Sequence, residues 1–395
     1  MTQSLDQWRR DTPGTGSVNH LNNAGAGLMP RVVLDRVIEH LQLESQIGGY
    51  EASARQAAAI EIVYARLGSF LGARPQNIAI VENATVAFWQ AMAAFDFEAG
   101  DRIVTTRNEY ASNRITFLAM QKRHRVEVVS ARETDWGGPD LEDFQNHLRH
   151  PRTRLATICW SPTNSGIIQD APAMIDLCRK ANVPSVVDAC QAVGQFPVDC
   201  GRLDCDFLTG TSRKFLRGPR GLGFLYISDR MLDAGKYPTN LDGRGATWAE
   251  ADRFIMQPTA RRFENWEFPY ALVLGLGEAV AYATDVGMVE TSSRAFALAA
   301  QVRHELGLIP GVTIMDRGKH LGAICSAAIR GWDANALVEE LKRRKINTSP
   351  ATRSWALLDM DAKQVETALR VSPHYYNTEV EVAELAGAVN EIVGR

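Results

Sequence analysis

The sequence predicts an α/β fold: a three-layer sandwich around a mainly parallel sheet, followed by a smaller α+β C-terminal domain. Three observations predict it. Short β-branched runs alternate with helical patterns from Asn77 to Ile227. Those runs are mostly apolar throughout rather than alternating, as parallel strands covered on both faces require. Beyond Pro269 the rhythm changes to longer helical patterns with few strand-like runs between them, which marks a second core.

In chain order, the strand-like runs are NIAIV (77–81), RIVTT (102–106), VEVVS (126–130), LATICW (155–160), PSVVD (184–188), DFLTG (206–210) and GLGFLYI (221–227). Helical patterns lie between them, among them ATVAFWQAMAAF (84–95), ASNRITFLAMQKRH (111–124) and APAMIDLCRKAN (171–182). A strand–helix–strand rhythm places helices on both faces of the sheet. The stretch 235–268 is rich in turn residues and charge and reads as a long functional loop region. The apolar segment PYALVLGLGEAVAYATDVG (269–287) then reads as a helix that opens the second domain. The expected division is a large domain at 20–268 and a small one at 269–395 joined by residues 1–19.

Composition bounds the function. The 395 residues exceed one typical domain of ~150 residues. Hydrophobic residues make up 45% and charged residues 23%, an ordinary globular balance. Lys and Arg number 43 against 46 Asp and Glu, a net −3, so no basic field draws nucleic acid or an anionic membrane. No run is apolar and long enough for a membrane span, and the first twenty residues lack the apolar stretch of a secretory signal. A cytoplasmic protein is expected. The six cysteines (Cys159, Cys178, Cys190, Cys200, Cys205, Cys325) include no C-x-x-C pair, so reduced thiols are expected and no metal.

Ligands of open parallel sheets bind beyond the carboxyl ends of the strands, so those positions carry the chemistry. The run 77–81 ends in Glu82-Asn83-Ala84-Thr85 before a helix, a helix N-terminus suited to a phosphate. The run 184–188 ends in Asp188, with Gln191 three positions on; a carboxylate leaving an apolar strand needs a partner. Lys214 follows 206–210, between the hydroxyls of Thr209, Thr211 and Ser212 and a glycine-rich stretch. Semi-buried lysines form Schiff bases with carbonyls. A phosphate cradle, a carboxylate and a lysine in this order match pyridoxal 5′-phosphate (PLP). That cofactor needs a lysine for its aldehyde, an acid at its ring nitrogen and donors for its phosphate.

With these residues in place, the sequence resembles fold-type I PLP enzymes of the class V aminotransferase group, relatives of cysteine desulfurases, isopenicillin N epimerase and hercynylcysteine sulfoxide lyase. Eight segments carry the resemblance in the family's order: LNNAGAGLMP (21–30), VENATVAFWQAM (81–92), NEYASN (108–113), SPTNSGIIQD (161–170), VVDACQAVG (186–194), TSRKFLRGPRGLGFLYI (211–227), RRFENWEF (261–268) and LRVSPHYYNT (369–378). The resemblance implies that Lys214 carries the cofactor and shuttles protons. It puts Asp188 at the ring nitrogen, Gln191 at the ring hydroxyl and Tyr110 stacked on the ring. Ala84, Thr85, Thr211 and Arg213 would hold the phosphate. Thr163 and Asn164 would lie near the cofactor hydroxyl or the substrate carboxylate, which Arg370 would grip. The pocket would also draw on Asn22, Trp266 and Tyr375. A homodimer with its active sites at the interface, crossed by the 235–268 region, is implied as well.

Three features depart from the family's pattern. No cysteine occurs between residues 326 and 395, where a desulfurase would carry its nucleophile, and Tyr375 stands five residues after Arg370. Trp266 and Glu267 replace a Gly-Thr that relatives aim at a phosphate. Arg213, Arg217 and Arg220 form a basic set beside Lys214, of which one or two would neutralise phosphate and the others form a solvated rim.

The resemblance therefore implies an enzyme acting on an amino acid through an external aldimine and an α-carbanion. β-Elimination (C–S lysis) of a cysteine-derived substrate leads, with aminotransfer and epimerisation as alternatives. A nucleotide-binding dehydrogenase shares the sheet pattern but would need a G-x-G-x-x-G after its first strand, which is missing.

Overall fold

The computed structural model describes residues 4–394. After two short helices (Leu5–Arg10 and Gly49–Arg55) and two longer ones, α1 (Arg31–Ile47) and α2 (Ala57–Phe70), the chain builds a seven-stranded sheet. Its strands are β1 (Ile78–Val81), β2 (Arg102–Thr105), β3 (Glu127–Ser130), β4 (Thr153–Cys159), β5 (Ser185–Asp188), β6 (Phe207–Thr211) and β7 (Gly223–Ile227). They lie side by side in the order β1-β7-β6-β5-β4-β2-β3. Every expected strand is present.

All neighbours pair in parallel except β7, which is antiparallel to both β1 and β6. The reason is chain length. A parallel return needs a crossover of roughly a dozen residues or more, usually a helix. Only the glycine-rich turn at 212–222 separates β6 from β7, so the chain turns straight back.

Helices α3 (Ala84–Ala93) and α4 (Ala111–His124) cover one face, where Phe88, Met92 and Phe117 pack on Ile103, Val186 and Phe207. The other face carries α2 and α5 (Ala171–Lys180), with Tyr64, Leu67, Met174 and Ile175 packed on Val104, Ile158 and Val187. Helix α6 (Tyr270–Val286) belongs to that same layer, since Val273, Leu274, Leu276 and Val280 lie in its core and the helix packs on α1 and α2. Sequence pattern alone opened the second domain at 269. The cores change later, between α6 and Leu298 of α7 (Met288–Gly307).

The stretch 235–268 is not all loop. Two strands, β8 (Ala246–Glu250) and β9 (Arg253–Met256), form an exposed antiparallel hairpin within it. The short strands carry Trp248, Phe254 and Ile255 into solvent, so no buried face marks them in the sequence.

The second core is a four-stranded antiparallel sheet of β10 (Val312–Ile314), β11 (Cys325–Ile329), β12 (Ser349–Thr352) and β13 (Thr367–Val371), ordered β10-β11-β13-β12. Helices α7, α8 (Ala334–Arg343) and α9 (Glu379–Val393) cover it with Leu298, Val302, Leu337, Leu341, Leu385 and Val389. The N-terminal segment joins this side: Asn19 and His20 pair with Ile346 and Asn347, and Leu21 lies in the second core. Among the described residues no single helix is long and apolar enough to cross a membrane.

Candidate active site

The carboxyl ends of β1, β5 and β6 and the N-terminus of α3 converge on one cavity of about 450 Å³. Ala84, Thr85, Tyr110, Asp188, Thr211, Arg213 and Lys214 line it, seven of the residues singled out from sequence. A second cavity of about 440 Å³ adjoins it, lined by Asn22, Thr163, Asn164, Arg370 and the 349–352 strand. Tyr110, Arg213, Lys214 and Arg220 line both. Lys214 therefore stands where the two meet.

Each residue is held by local physics. Asn83 caps α3, its side chain accepting from the Val86 N–H at 3.0 Å, which leaves the first-turn N–H groups and the positive end of the helix to face the cavity. Gly223 lies opposite Val81 in the sheet, and a Cβ there would sit 2.4 Å from the Asn83 carbonyl carbon. Only glycine lets that turn close. Thr211 ends β6 and donates to the Leu222 carbonyl at 3.2 Å. Lys214 is buried, its amine 6.0 Å from the centre of the Tyr110 ring, and among the described residues no carboxylate pairs with it.

Asp188 ends the wholly buried strand β5. Its Oδ1 accepts from the Cys190 N–H at 2.9 Å and its Oδ2 from Asn113 Nδ2 at 2.8 Å. A carboxylate held from both sides keeps its orientation toward the cavity it lines.

Arg370 sits on β13 opposite Ser326 and Ser349, and enters the second cavity from the smaller core. It donates to Thr163 Oγ1 at 2.8 Å, to the Thr163 carbonyl at 3.1 Å and to Asn22 Oδ1 at 3.1 Å. Burial, and then the nearby Arg213, lower its pKa to about 10, so it stays cationic at neutral pH. Among the described residues it has no carboxylate partner. A buried cation without a counter-charge is costly, and an anionic ligand resolves that cost. Thr163 Oγ1 also accepts from Gln191 Nε2 at 3.0 Å. With two donors on its oxygen, the Thr163 hydroxyl keeps its own proton for a ligand.

Four sequence assignments shift. Gln191 lines neither cavity: its amide is spent on Thr163 and the Ala24 carbonyl, and among the described residues its buried Oε1 has no partner. Tyr375 is a core aromatic rather than a pocket wall, edge-on to Trp8 at 5.1 Å and bonded to Arg217. Trp266 is 60% exposed and lines neither cavity, with Glu267 exposed beside it. Arg217 is no rim residue. It is buried beneath Tyr376, Tyr375 and Tyr282, 4.5, 5.2 and 5.5 Å from their ring centres. Asn164 lines the second cavity, but its amide is bound to Asp359 at 2.6 Å.

Three further positions carry no signal in the sequence. Glu109 and Asn113 flank Tyr110, and Asn113 bonds both Glu109 and Asp188. An acid just ahead of a helix reads as a helix-start residue, and nothing in NEYASN separates it from one. Glu264 was also silent. It is buried under Arg244, Tyr64 and the Ile80 N–H, at 2.6, 2.8 and 2.9 Å, and anchors the segment after the hairpin.

The donor set fits PLP: a helix N-terminus with Thr85, Thr211 and Arg213 for a phosphate, Asp188 for a ring nitrogen, Tyr110 for a ring face and Lys214 for an aldehyde. Among the described residues the buried Arg370 Nε has no partner, a polar atom in the second cavity left for a ligand.

Comparisons with known proteins agree. The family model described as aminotransferase class-V matches residues 19–385. A cysteine desulfurase of Synechococcus elongatus is 27% identical over 94% of this chain, which spans 60% of that relative's length. An isopenicillin N epimerase of Amycolatopsis lactamdurans is 28% identical over 95% of both chains. Among solved structures, a cysteine desulfurase from Thermococcus onnurineus NA1 matches with a TM-score of 0.92 at 21% identity, covering 100% of each chain. The cystine C-S lyase C-DES matches with 0.85 at 21% identity, covering 96% of this chain and 99% of that one. These two likenesses concern the fold, and it is the match over residues 19–385 that places this chain in the class V aminotransferase family, whose cofactor is pyridoxal 5′-phosphate.

Proposed function

We propose that the protein catalyses β-elimination on a cysteine-derived amino acid without using a cysteine of its own. One observation carries this reading: among the described residues no cysteine lines the cavity that holds Arg370. Cys325 lies fully buried in β11 with its thiol pushed well up by burial and by Asp316, and residues 326–395 contain no other. In the adjoining cavity Cys190 lies beside Asp188 and Lys214, but burial pushes its thiol up, so a sulfur leaving the substrate meets no ready thiolate and departs as the free thiol.

The protein's part follows from the geometry. Thr85, Thr211, Arg213 and the α3 N-terminus would hold the phosphate, Asp188 the ring nitrogen and Lys214 the aldehyde. Bound there, the cofactor supplies an electron sink for negative charge at the substrate α-carbon. Arg370, steadied by Asn22 and Thr163, grips the α-carboxylate in a planar fork that sets the substrate's orientation. The Lys214 amine at the junction of the cavities, when free, would take the α-proton. Loss of the β-substituent as a thiol leaves 2-aminoacrylate, which water hydrolyses after release to pyruvate and ammonia. Epimerisation is the second reading, supported by the end-to-end match to isopenicillin N epimerases.

The same reading makes the protein a homodimer. The exposed hairpin, with Trp248 at 80%, Ile255 at 55% and Phe254 at 52% exposure, is apolar surface suited to a second copy.

Product analysis on S-substituted cysteines and their sulfoxides tests the reaction type. Pyruvate and ammonia in equal amounts, with no sulfur added to the protein's intact mass, are expected. Racemised substrate, or a keto acid that retains the β-substituent, would replace the lyase reading with epimerisation or aminotransfer.

A further inference from the structure

Glu109 lines neither cavity and is buried, yet four donors converge on it. Its Oε1 accepts from the Tyr110 N–H and from Asn113 Nδ2, each at 2.9 Å. Its Oε2 accepts from Thr105 Oγ1 at 2.9 Å and from Thr157 Oγ1 at 3.4 Å. The second proton of the Asn113 amide goes to Asp188 Oδ2 at 2.8 Å. An amide nitrogen carries two N–H donors, and here both are spent on carboxyl oxygens. One side chain thus ties two buried carboxyls together.

A space-filling role does not explain this arrangement. Two carboxyls so close repel each other when both are charged, and burial raises the cost. A cation on the cavity side of Asp188 removes that cost. The hydroxyls of β2 and β4, the Tyr110 N–H and the Asn113 amide all stabilise charge on Glu109.

We propose that Glu109 is a positioning residue for the cofactor: through the Asn113 amide it fixes the aim of Asp188 and sets a second negative charge behind the ring-nitrogen contact. The same carboxyl holds the Tyr110 backbone at the start of α4, so the acid at the ring nitrogen and the aromatic at the ring face are located by one group. The titratable and charged groups that face Glu109 are Asp188 at the end of β5, Cys159 at the end of β4 and Arg114 on α4. Burial and the Asp188 charge push Glu109 up to about 7, so its charge varies across the neutral range. Arrival of the cofactor's positive ring favours the ionised form.

The inference rests on the cofactor roles of Lys214 and Asp188 and is independent of the lyase reading. The absorption spectrum of the holoenzyme without substrate, recorded against pH, tests it in wild type, Glu109→Gln, Asn113→Ala and the double variant. Glu109→Gln removes a negative charge that favours the protonated chromophore, so its midpoint should move down by about one pH unit. Asn113→Ala should move it the same way, the double variant no further than the larger single shift, and Glu109→Asp should keep the wild-type midpoint. A structural role would lower the melting temperature of Glu109→Gln and leave the midpoint in place, which overturns the proposal. Should Glu109→Gln fail to fold, Asn113→Ala alone decides by the same shift. A wild type without visible absorption overturns the cofactor roles and this proposal together. A coloured wild type whose midpoint ignores both residues overturns this proposal alone.

Discussion

The Arg370 guanidinium donates to Thr163 Oγ1 at 2.8 Å, so a cation from the antiparallel sheet and a hydroxyl from the end of the parallel sheet meet in the wall of one cavity. The two cores are therefore joined at the point where an amino-acid carboxylate would be held.

Replacing Arg370 should separate substrate binding from cofactor binding. Arg370→Gln removes charge-assisted bonds of about 1.5–3 kcal/mol, so kcat/KM should fall about 10- to 100-fold, with the cofactor's absorption unchanged. Arg370→Lys should not restore it, because an ammonium cannot form the planar fork. Steady-state kinetics with an absorption spectrum decide this. Equal loss of colour and activity would mean that Arg370 serves the cofactor.

Arg217 should behave as a stability residue. It donates to the Thr12 hydroxyl, the Tyr375 hydroxyl and the Leu28 carbonyl beneath three tyrosine rings. Arg217→Ala strands those acceptors and forfeits the cation–π contacts, a loss of about 3 kcal/mol or more in urea unfolding. A change below about 0.5 kcal/mol, the usual range for surface positions, would contradict the buried role.

How far the sequence was legible follows from which residues announce themselves. Asp188 and Lys214 stand out because each follows an apolar strand, and the topology of a parallel sheet brings such positions together. Arg370 was identifiable only by resemblance, since an arginine on a short strand carries no signal of its own. Glu109 and Asn113 stayed hidden because their meaning depends on a contact across 75 positions, between Asn113 and Asp188. Tyr375 misled because it stands five residues after Arg370, where relatives carry their cysteine, whereas its hydroxyl is taken by Arg217 in the core. Helix α6 misled because its apolar run gives no sign of which core it covers.

Acid should destabilise the fold through His374. Burial, then the charge of Arg217, lower its pKa from 6.5 to about 3, and its Nε2 faces the Phe215 carbonyl at 2.8 Å. Between those two values the unfolded chain binds a proton that the folded chain does not. Stability is then complete above pH 6.5 and falls on acidification by up to about 1.4 kcal/mol per pH unit. Urea midpoints measured from pH 7 to 5 should show this slope, and His374→Gln should flatten it. An unchanged slope in the variant would assign the acid sensitivity to other groups.

The hairpin should be required for association. Phe254→Glu with Ile255→Glu places two charges on its exposed apolar surface and should convert a dimer to monomers in sedimentation velocity. A dimer of unchanged mass would place the interface elsewhere.

The central claim is that Lys214, at the junction of the two cavities, carries the cofactor. Borohydride reduction of the coloured protein, followed by peptide mapping, tests it most directly. One reduced pyridoxyl group is expected on the peptide that contains Lys214, and no stable label in Lys214→Ala. A label on another lysine, or a colourless protein that takes up no PLP, would contradict it.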